Sequence, residues 1–287
     1  MQEVIIFLLI VSQLLTGVYS WLVKSVPTNL STQLLVRMLT FSGAAAFMAF
    51  ISGKSFSPSL VHLLSMGTLN AVHILSSFYA YSQLPTTVSI PLFYIYPLIN
   101  VLLSTVFLKT SFSINTLPWL LCSLIGTIVI VFQNGAISFS PSGIASILVA
   151  AFTESLTYLV YKSNFEPNEF QGLFHLYFGG LIAVLLGWAT NILEPFDFNK
   201  DVLTKLTLVN TLVGFIAFSI IAYSIPNLPP ELFASLAFFG VISAHIFSEI
   251  GNEKRASTPT IIGTIMILIG AAAVRYLKIE KKELIRA

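Results

Sequence analysis

Ten apolar stretches, each about long enough to cross a lipid bilayer, follow one another along the chain. A transmembrane helix needs about 20 apolar residues, and short segments rich in proline, glycine and asparagine separate the stretches. Only 9% of the 287 residues are charged, against about 25% in soluble domains, so the chain cannot cover a water-facing surface. The sequence therefore predicts an all-α polytopic membrane protein with ten transmembrane helices. The predicted spans are roughly residues 4–23, 33–52, 60–82, 87–107, 117–132, 143–161, 171–192, 206–225, 231–250 and 259–277.

The chain also repeats its own sequence at an offset of about 140 residues. An internal duplication in a strongly apolar chain is typical of secondary transporters, whose binding site lies where the repeats meet. The repeated segments are Lys24-Ser25 and Lys162-Ser163, Ala80-Tyr81-Ser82 and Ala222-Tyr223-Ser224, and Leu84-Pro85 and Leu228-Pro229.

Five spans in each half determine how the two halves are related. Because five is odd, the second half enters the membrane upside down relative to the first, which gives two inverted five-helix repeats about an axis in the membrane plane. We predict the first repeat over residues 1–135, the second over 142–277, and a basic cytoplasmic tail over 278–287. Lysine and arginine are slightly more numerous on the side of the N-terminus, seven against five. This bias predicts that both termini are cytoplasmic. We expect the protein to lie in the plasma (inner) membrane.

Composition and motifs exclude several functions. The net charge of +2 is too small to indicate nucleic-acid binding, and Cys122 is the single cysteine, so the chain cannot form an internal disulfide. No glycine-rich phosphate-binding motif is present, so energy for transport would come from a gradient or from the substrate itself. The expected partners are a small-molecule substrate, the lipid bilayer and protons, with no cofactor and no metal. One chain holds both repeats, so either a monomer or a homodimer is compatible with the sequence.

The third and fourth spans carry a recognisable motif. Residues 78–85 read Phe-Tyr-Ala-Tyr-Ser-Gln-Leu-Pro and are followed by Pro91 and Pro97. This motif, together with Arg37 in the second span, resembles the EamA-like branch of the drug/metabolite transporter (DMT) superfamily. The resemblance covers about residues 5–275 and implies a ten-helix transporter whose third and fourth helices line a central cavity. The chain departs from the family at Lys109, where the family often has a glutamate.

Ionisable residues inside the predicted spans are the main candidates for function. A charge in hydrocarbon is costly and therefore faces the interior of a helix bundle. Glu154, in the middle of the sixth span, is predicted to carry protons; the alternative is a fixed ion pair between helices. His245 and Glu249 lie four residues apart on one helical face and are predicted to share in proton coupling. Two ligands at this spacing are too few for a zinc site.

A second group of polar residues is predicted to bind the substrate. Arg37 and His175 occupy matched places near the starts of their spans. Binding of a substrate anion and anchoring at the interface are both open for Arg37, whereas a structural role is favoured for His175. The predicted substrate-binding residues are Arg37, Asn70, His73, Tyr79, Tyr94 and His175.

These features favour a secondary active transporter that moves a small polar or amphipathic metabolite, such as an amino acid or a related compound, by alternating access. Proton coupling is a further hypothesis. The alternative is a membrane-embedded enzyme that uses Glu154, His245 and Glu249 for acid-base chemistry, although the duplication has no role in it. A channel is a third option, but it would need a ring of like charges that the sequence lacks.

Overall fold

The computed structural model describes residues 2–54, 56–84, 86–131, 140–163, 168–251 and 257–284, and every regular element in these ranges is helical. Ten spans are long and apolar enough to cross a membrane, which confirms the predicted fold class of a polytopic all-α membrane protein. The α-helices are α1 (Gln2–Lys24), α2 (Leu30–Ile51), α3 (Leu60–Gln83), α4 (Thr86–Phe93), α5 (Tyr96–Phe107), α6 (Leu117–Val131), α7 (Pro141–Lys162), α8 (Glu169–Ala189), α9 (Lys200–Val209), α10 (Ile216–Asn227), α11 (Pro230–Ala237), α12 (Phe239–Gly251) and α13 (Thr258–Leu284).

Three spans are interrupted within their length, and the fifth begins with a 3-10 turn, Ile114–Thr116, before α6. The fourth span consists of α4 and α5, and the ninth consists of α11 and α12. In the eighth span a π-helical turn, Asn210–Phe215, joins α9 to α10. The break in the fourth span has a local cause, because Pro97 has no N–H to donate to the carbonyl of Phe93 one turn earlier. The breaks in the fourth and ninth spans meet in space: the ring centroids of Tyr94 and Phe238 lie 6.1 Å apart.

The two halves of the chain pack against each other through matched helices. The second helices of the halves, α2 and α8, are in contact, and so are the fifth, α6 and α13. In addition, α3 packs on α7, as α10 packs on α1. This exchange of partners is consistent with the two-fold axis that the predicted repeats over 1–135 and 142–277 require. The α3–α8 contact depends on Gly67 and Gly179, since a Cβ on either glycine would overlap the backbone of the other.

Two boundaries differ from those predicted. The eighth span begins at Lys200 rather than near residue 206, because Asn199 caps the helix by accepting hydrogen bonds from the backbone N–H groups of Asp201 and Val202. This charged first turn is a polar extension of the apolar span. The last helix, α13, continues to Leu284, so the first residues of the predicted tail are helical.

Candidate functional site

A central cavity of about 430 Å³ lies between the helices of the two halves. This volume is within the usual range of ligand pockets, about 300–1,000 Å³. Four helices each line it with residues at positions i, i+3, i+4 and i+7, which form one helical face. These faces are Gln13, Thr16, Gly17 and Ser20 of α1; Ile74, Ser77, Phe78 and Tyr81 of α3; Glu154, Thr157, Tyr158 and Tyr161 of α7; and Phe218, Ile221, Ala222 and Ile225 of α10.

The cavity is open at one end and closed at the other. Ser20, near the end of α1, is exposed, and Tyr81, near the end of α3, is 46% exposed. At the other end Tyr158, Ile225 and Phe233 are all buried. Consecutive spans run in opposite directions, so the open end is on the membrane face where the first and third spans end. The structure therefore holds a cavity that is accessible from one side of the membrane.

Direct hydrogen bonds hold the closed end together. The ammonium group of Lys162 donates to three backbone carbonyls at the end of α10, those of Ile225 (3.1 Å), Pro226 (3.2 Å) and Leu228 (2.5 Å). These carbonyls have no partner further along the helix, so Lys162 both caps α10 and joins it to α7. Lys162, which matches Lys24 in the sequence repeat, thus has a structural role at the end of the sixth span.

Two ion pairs lie on the same membrane face as the closed end. Glu231, at the start of α11, is 1% exposed and pairs with Lys278 of α13. The backbone N–H of Ser113 also donates to Glu231, at 3.3 Å. Lys54 pairs with Glu169 at 2.5 Å and thereby joins the end of α2 to the start of α8. Opening this end of the cavity would require some of these contacts to break.

Glu154 lies on one wall of the cavity and is accessible. Its side chain is 39% exposed, and its Oε2 lies 3.8 Å from Nδ1 of His73. The same Nδ1 lies 3.1 Å from the carbonyl oxygen of Ala150, one helical turn before Glu154. Tyr81 and Tyr94 line the cavity on this side as well. This wall, which we call the acidic wall, therefore presents a carboxylate, an imidazole and aromatic hydroxyl groups to the cavity.

Arg37 lies on another wall and is surrounded by four aromatic rings. Its guanidinium carbon lies 4.9 to 5.7 Å from the centroids of these rings, and Nη2 donates a hydrogen bond of 3.3 Å to the hydroxyl of Tyr177. Its Nε is buried and has no hydrogen-bond partner. The rings belong to Tyr19, Phe41, Tyr177 and Phe218.

The broken fourth and ninth spans leave a polar niche in the lining. A Cβ on Gly240 would lie 2.8 Å from both the side-chain oxygen of Gln13 and the hydroxyl of Tyr94. Glycine at this position therefore keeps open the space in which the two polar groups meet. Discontinuous helices at corresponding positions of two repeats are the best general indication of a transporter's binding region.

Asn100 was not predicted from the sequence. It lines the cavity from α5, is 0% exposed, and neither its Nδ2 nor its Oδ1 has a hydrogen-bond partner. A buried amide without partners is costly. The one sequence signal for a role of Asn100 is its position as a polar residue in the apolar run of residues 98–103.

The predicted site residues fall into two groups. Arg37, Asn70, His73, Tyr94 and Glu154 line the cavity. The amide of Asn70 also donates to the carbonyl of Leu176 at 2.9 Å and so holds α3 against α8.

The remaining predicted residues lie elsewhere. Tyr79 is 47% exposed and donates to the hydroxyl of Ser142. His175 is fully buried away from the lining and accepts a hydrogen bond of 3.1 Å from the backbone N–H of Ser59. His245 is partly buried and next to the lining residue Ala244, and the side chain of Glu249 lies outside the described residues. Within the described ranges no three His, Cys, Asp or Glu side chains cluster as metal ligands would.

Comparison with known proteins gives a family for the first half of the chain. The model of the EamA-like transporter family matches residues 4–132, which confirms the resemblance to the EamA-like branch of the DMT superfamily there. No curated protein matches the sequence. A solved crystal structure of a protein 15% identical to this chain has a TM-score of 0.79, and the match covers 95% of this chain and 98% of that one. At this identity the likeness shows a shared fold.

Proposed function

We propose that the chain is a secondary active transporter, which the match of residues 4–132 to the model of the EamA-like transporter family supports. Its substrate is a small polar or amphipathic metabolite, an amino acid or a related compound. The observation that carries this proposal is a central cavity that is closed at one end and lined by opposite charges, Arg37 and Glu154. A binding site near the middle of the bundle with access from one side at a time is what alternating access requires.

The transport cycle follows from the two ends of the cavity. In the state described, substrate enters through the open end past Ser20 and Tyr81. The protein then closes this end and releases the contacts at the other, including those of Lys162 with the end of α10. With both termini in the cytoplasm, as the charge bias favours, the open end faces the outside of the plasma membrane. The breaks in the fourth and ninth spans supply the points at which helices bend.

Proton coupling is assigned to Glu154. Its side chain reaches the cavity, so it can exchange a proton with whichever side the cavity faces. His73, 3.8 Å away, is close enough to respond to the charge of the carboxylate. The alternative of a membrane-embedded enzyme needs Glu154 and His245 to act together, yet His245 is not part of the lining. The geometry therefore favours transport.

Uptake into proteoliposomes tests the proposal. Purified protein is reconstituted and supplied with radiolabelled amino acids, with and without an imposed pH gradient. We expect accumulation that the pH gradient increases, and we expect Glu154→Gln to abolish the increase while leaving downhill exchange measurable. Glu3→Gln is the matched control, because Glu3 is an exposed acid that is paired with Arg275 and does not line the cavity. Full gradient-driven uptake by Glu154→Gln would rule out the proton role. Chemical conversion of the substrate without flux would support the enzyme instead.

A further inference from the structure

We infer that Arg37 and the aromatic rings around it form a subsite for one carboxylate group of the transported molecule. This inference rests on the proposed transport function and narrows its substrate class to monocarboxylates with a second polar or cationic end, such as zwitterions. The observations that carry it are the missing anionic partner of Arg37, the arrangement of the rings, and the charges of the lining.

Arg37 differs from four other described cations, which all have polar partners; the exposed Lys109, Lys200 and Lys205 are set aside because they can reach water. Lys54, Arg275 and Lys278 each pair with a carboxylate, and Lys162 donates to three carbonyls. Arg37 has five N–H donors, but among the described residues it makes a single hydrogen bond, to the neutral hydroxyl of Tyr177. Its Nε is buried with no partner. A charged group that lies inside a helix bundle with unused donors and no anionic partner indicates a ligand-binding role.

The rings hold the guanidinium in place without using its donors. Cation–π contacts with Phe218 at 4.9 Å and Phe41 at 5.4 Å offset part of the cost of burying the charge. Tyr177 and Phe218 line the cavity together with Arg37, whereas Tyr19 and Phe41 lie behind them. Cation–π contacts do not use the N–H groups as conventional hydrogen-bond donors. Most of the five N–H groups therefore remain available to an oxygen ligand. A planar carboxylate matches the planar fork of donors.

The charges of the lining favour a carboxylate over a phosphate. Among the lining residues Arg37 is the sole arginine and no lysine is present, while Glu154 contributes a negative charge. A phosphate group with nearly two negative charges would face one guanidinium and one carboxylate. A carboxylate, with one negative charge, is balanced by Arg37. A cationic end of the same molecule would then be balanced by Glu154, which lines the same cavity.

Matched probes test the subsite by binding, independently of flux. Purified full-length protein in detergent is titrated with leucine, methionine, phenylalanine and threonine, and with the carboxamide of each, while its thermal unfolding is followed. A charge-assisted contact contributes enough to change affinity by about tenfold or more. We therefore expect the acids to bind at least about tenfold more tightly than their carboxamides. Arg37→Gln should remove this preference, and Arg37→Lys should keep part of it. Arg275→Gln, at an exposed arginine paired with Glu3, should leave it unchanged.

Each result separates the subsite from transport itself. The comparison of acid with carboxamide on the wild-type protein remains decisive even if an Arg37 variant fails to fold. Equal binding of both members of every pair, or no stabilisation by any acid of the panel, would overturn the subsite. Acids that bind through Arg37 without flux in proteoliposomes would keep the subsite and refute transport. Flux with no preference for carboxylates would keep transport and refute the subsite.

Discussion

The two charged walls of the cavity are built in opposite ways. Arg37 is enclosed by four aromatic rings; one of them, Phe41, is 0% exposed and packs against the other three and against Phe215. Glu154 has a side chain that is 39% exposed, and its Oε2 lies 3.8 Å from Nδ1 of His73. The wall that contains Arg37, which we call the basic wall, is therefore tightly packed around a fixed charge. The acidic wall, which contains Glu154, is open, and its carboxylate is in contact with the cavity.

This difference suits the walls to different parts of a transport cycle. A guanidinium stays protonated at any physiological pH, so a packed wall that holds it in one orientation gives a constant recognition element. A carboxylate has to gain and lose protons if it couples transport to a gradient, and it can do so only where water reaches it. Under the proposed function the two walls would separate recognition from coupling, and three experiments test that separation.

The largest expected effect is on stability. Phe41→Ala should destabilise the protein by about 3–5 kcal/mol, because it leaves a void behind Arg37 that the neighbouring rings cannot fill. Phe93→Ala, on the partly exposed acidic side next to His73, should cost only about 1–2 kcal/mol. Unfolding of the two purified variants by heat or by denaturing detergent measures the difference. Equal losses would show that the basic wall is no more tightly packed than the acidic one.

The sequence predicted the architecture and singled out the two charged residues that line the cavity, but it did not predict how they are held. Ten spans follow from apolar length alone, and the cost of burying charge singled out Arg37 and Glu154. The rings around Arg37 come from four different helices, α1, α2, α8 and α10, so no local pattern connects them. Tyr19 and Phe218 are 199 positions apart in the chain. Only the packing of the two halves brings them together.

His175 and Asn100 both show that the sequence did not identify which residues face the cavity. Matching the repeats placed His175 opposite Arg37, yet His175 is buried against the backbone of Ser59 outside the lining. Asn100, which no charge or repeat singled out, lines the cavity with an unpartnered amide. A helix has several faces, and a few residues of error in the offset between two repeats change which face a residue lies on. Sequence could therefore locate the spans but not the side of each span that faces the cavity.

The second experiment compares the accessibility of the two walls at equal depth. Thr157 of α7 and Ala222 of α10 both line the cavity, and each lies five residues before the end of its helix. Thr157 is partly exposed and Ala222 is 4% exposed. In a Cys122→Ala background, we expect a membrane-impermeant thiol reagent to modify Thr157→Cys at least about tenfold faster than Ala222→Cys, which corresponds to a local opening cost of about 1.4 kcal/mol.

Ala244→Cys is the control for this comparison, because Ala244 is an exposed lining residue on α12. It should react at least as fast as Thr157→Cys, and in intact cells from the outside if the termini are cytoplasmic. Similar rates for Thr157→Cys and Ala222→Cys would mean that depth alone, and not the packing of the basic wall, controls access. Faster modification of Ala222→Cys would reverse the comparison.

The smallest expected effect concerns the one hydrogen bond of Arg37. Tyr177→Phe removes the hydroxyl that accepts from Nη2 at 3.3 Å but keeps the ring of the cage. A single hydrogen bond of this kind contributes about 0.5–1.5 kcal/mol, so the affinity for a carboxylate should change by roughly 2- to 13-fold, and the pH dependence of uptake should stay as in the wild type. Tyr79→Phe is the control, since it removes a tyrosine hydroxyl outside the lining. If Tyr177→Phe altered the pH dependence of uptake while Tyr79→Phe did not, recognition and coupling would share one group, and the two walls would act as a single site.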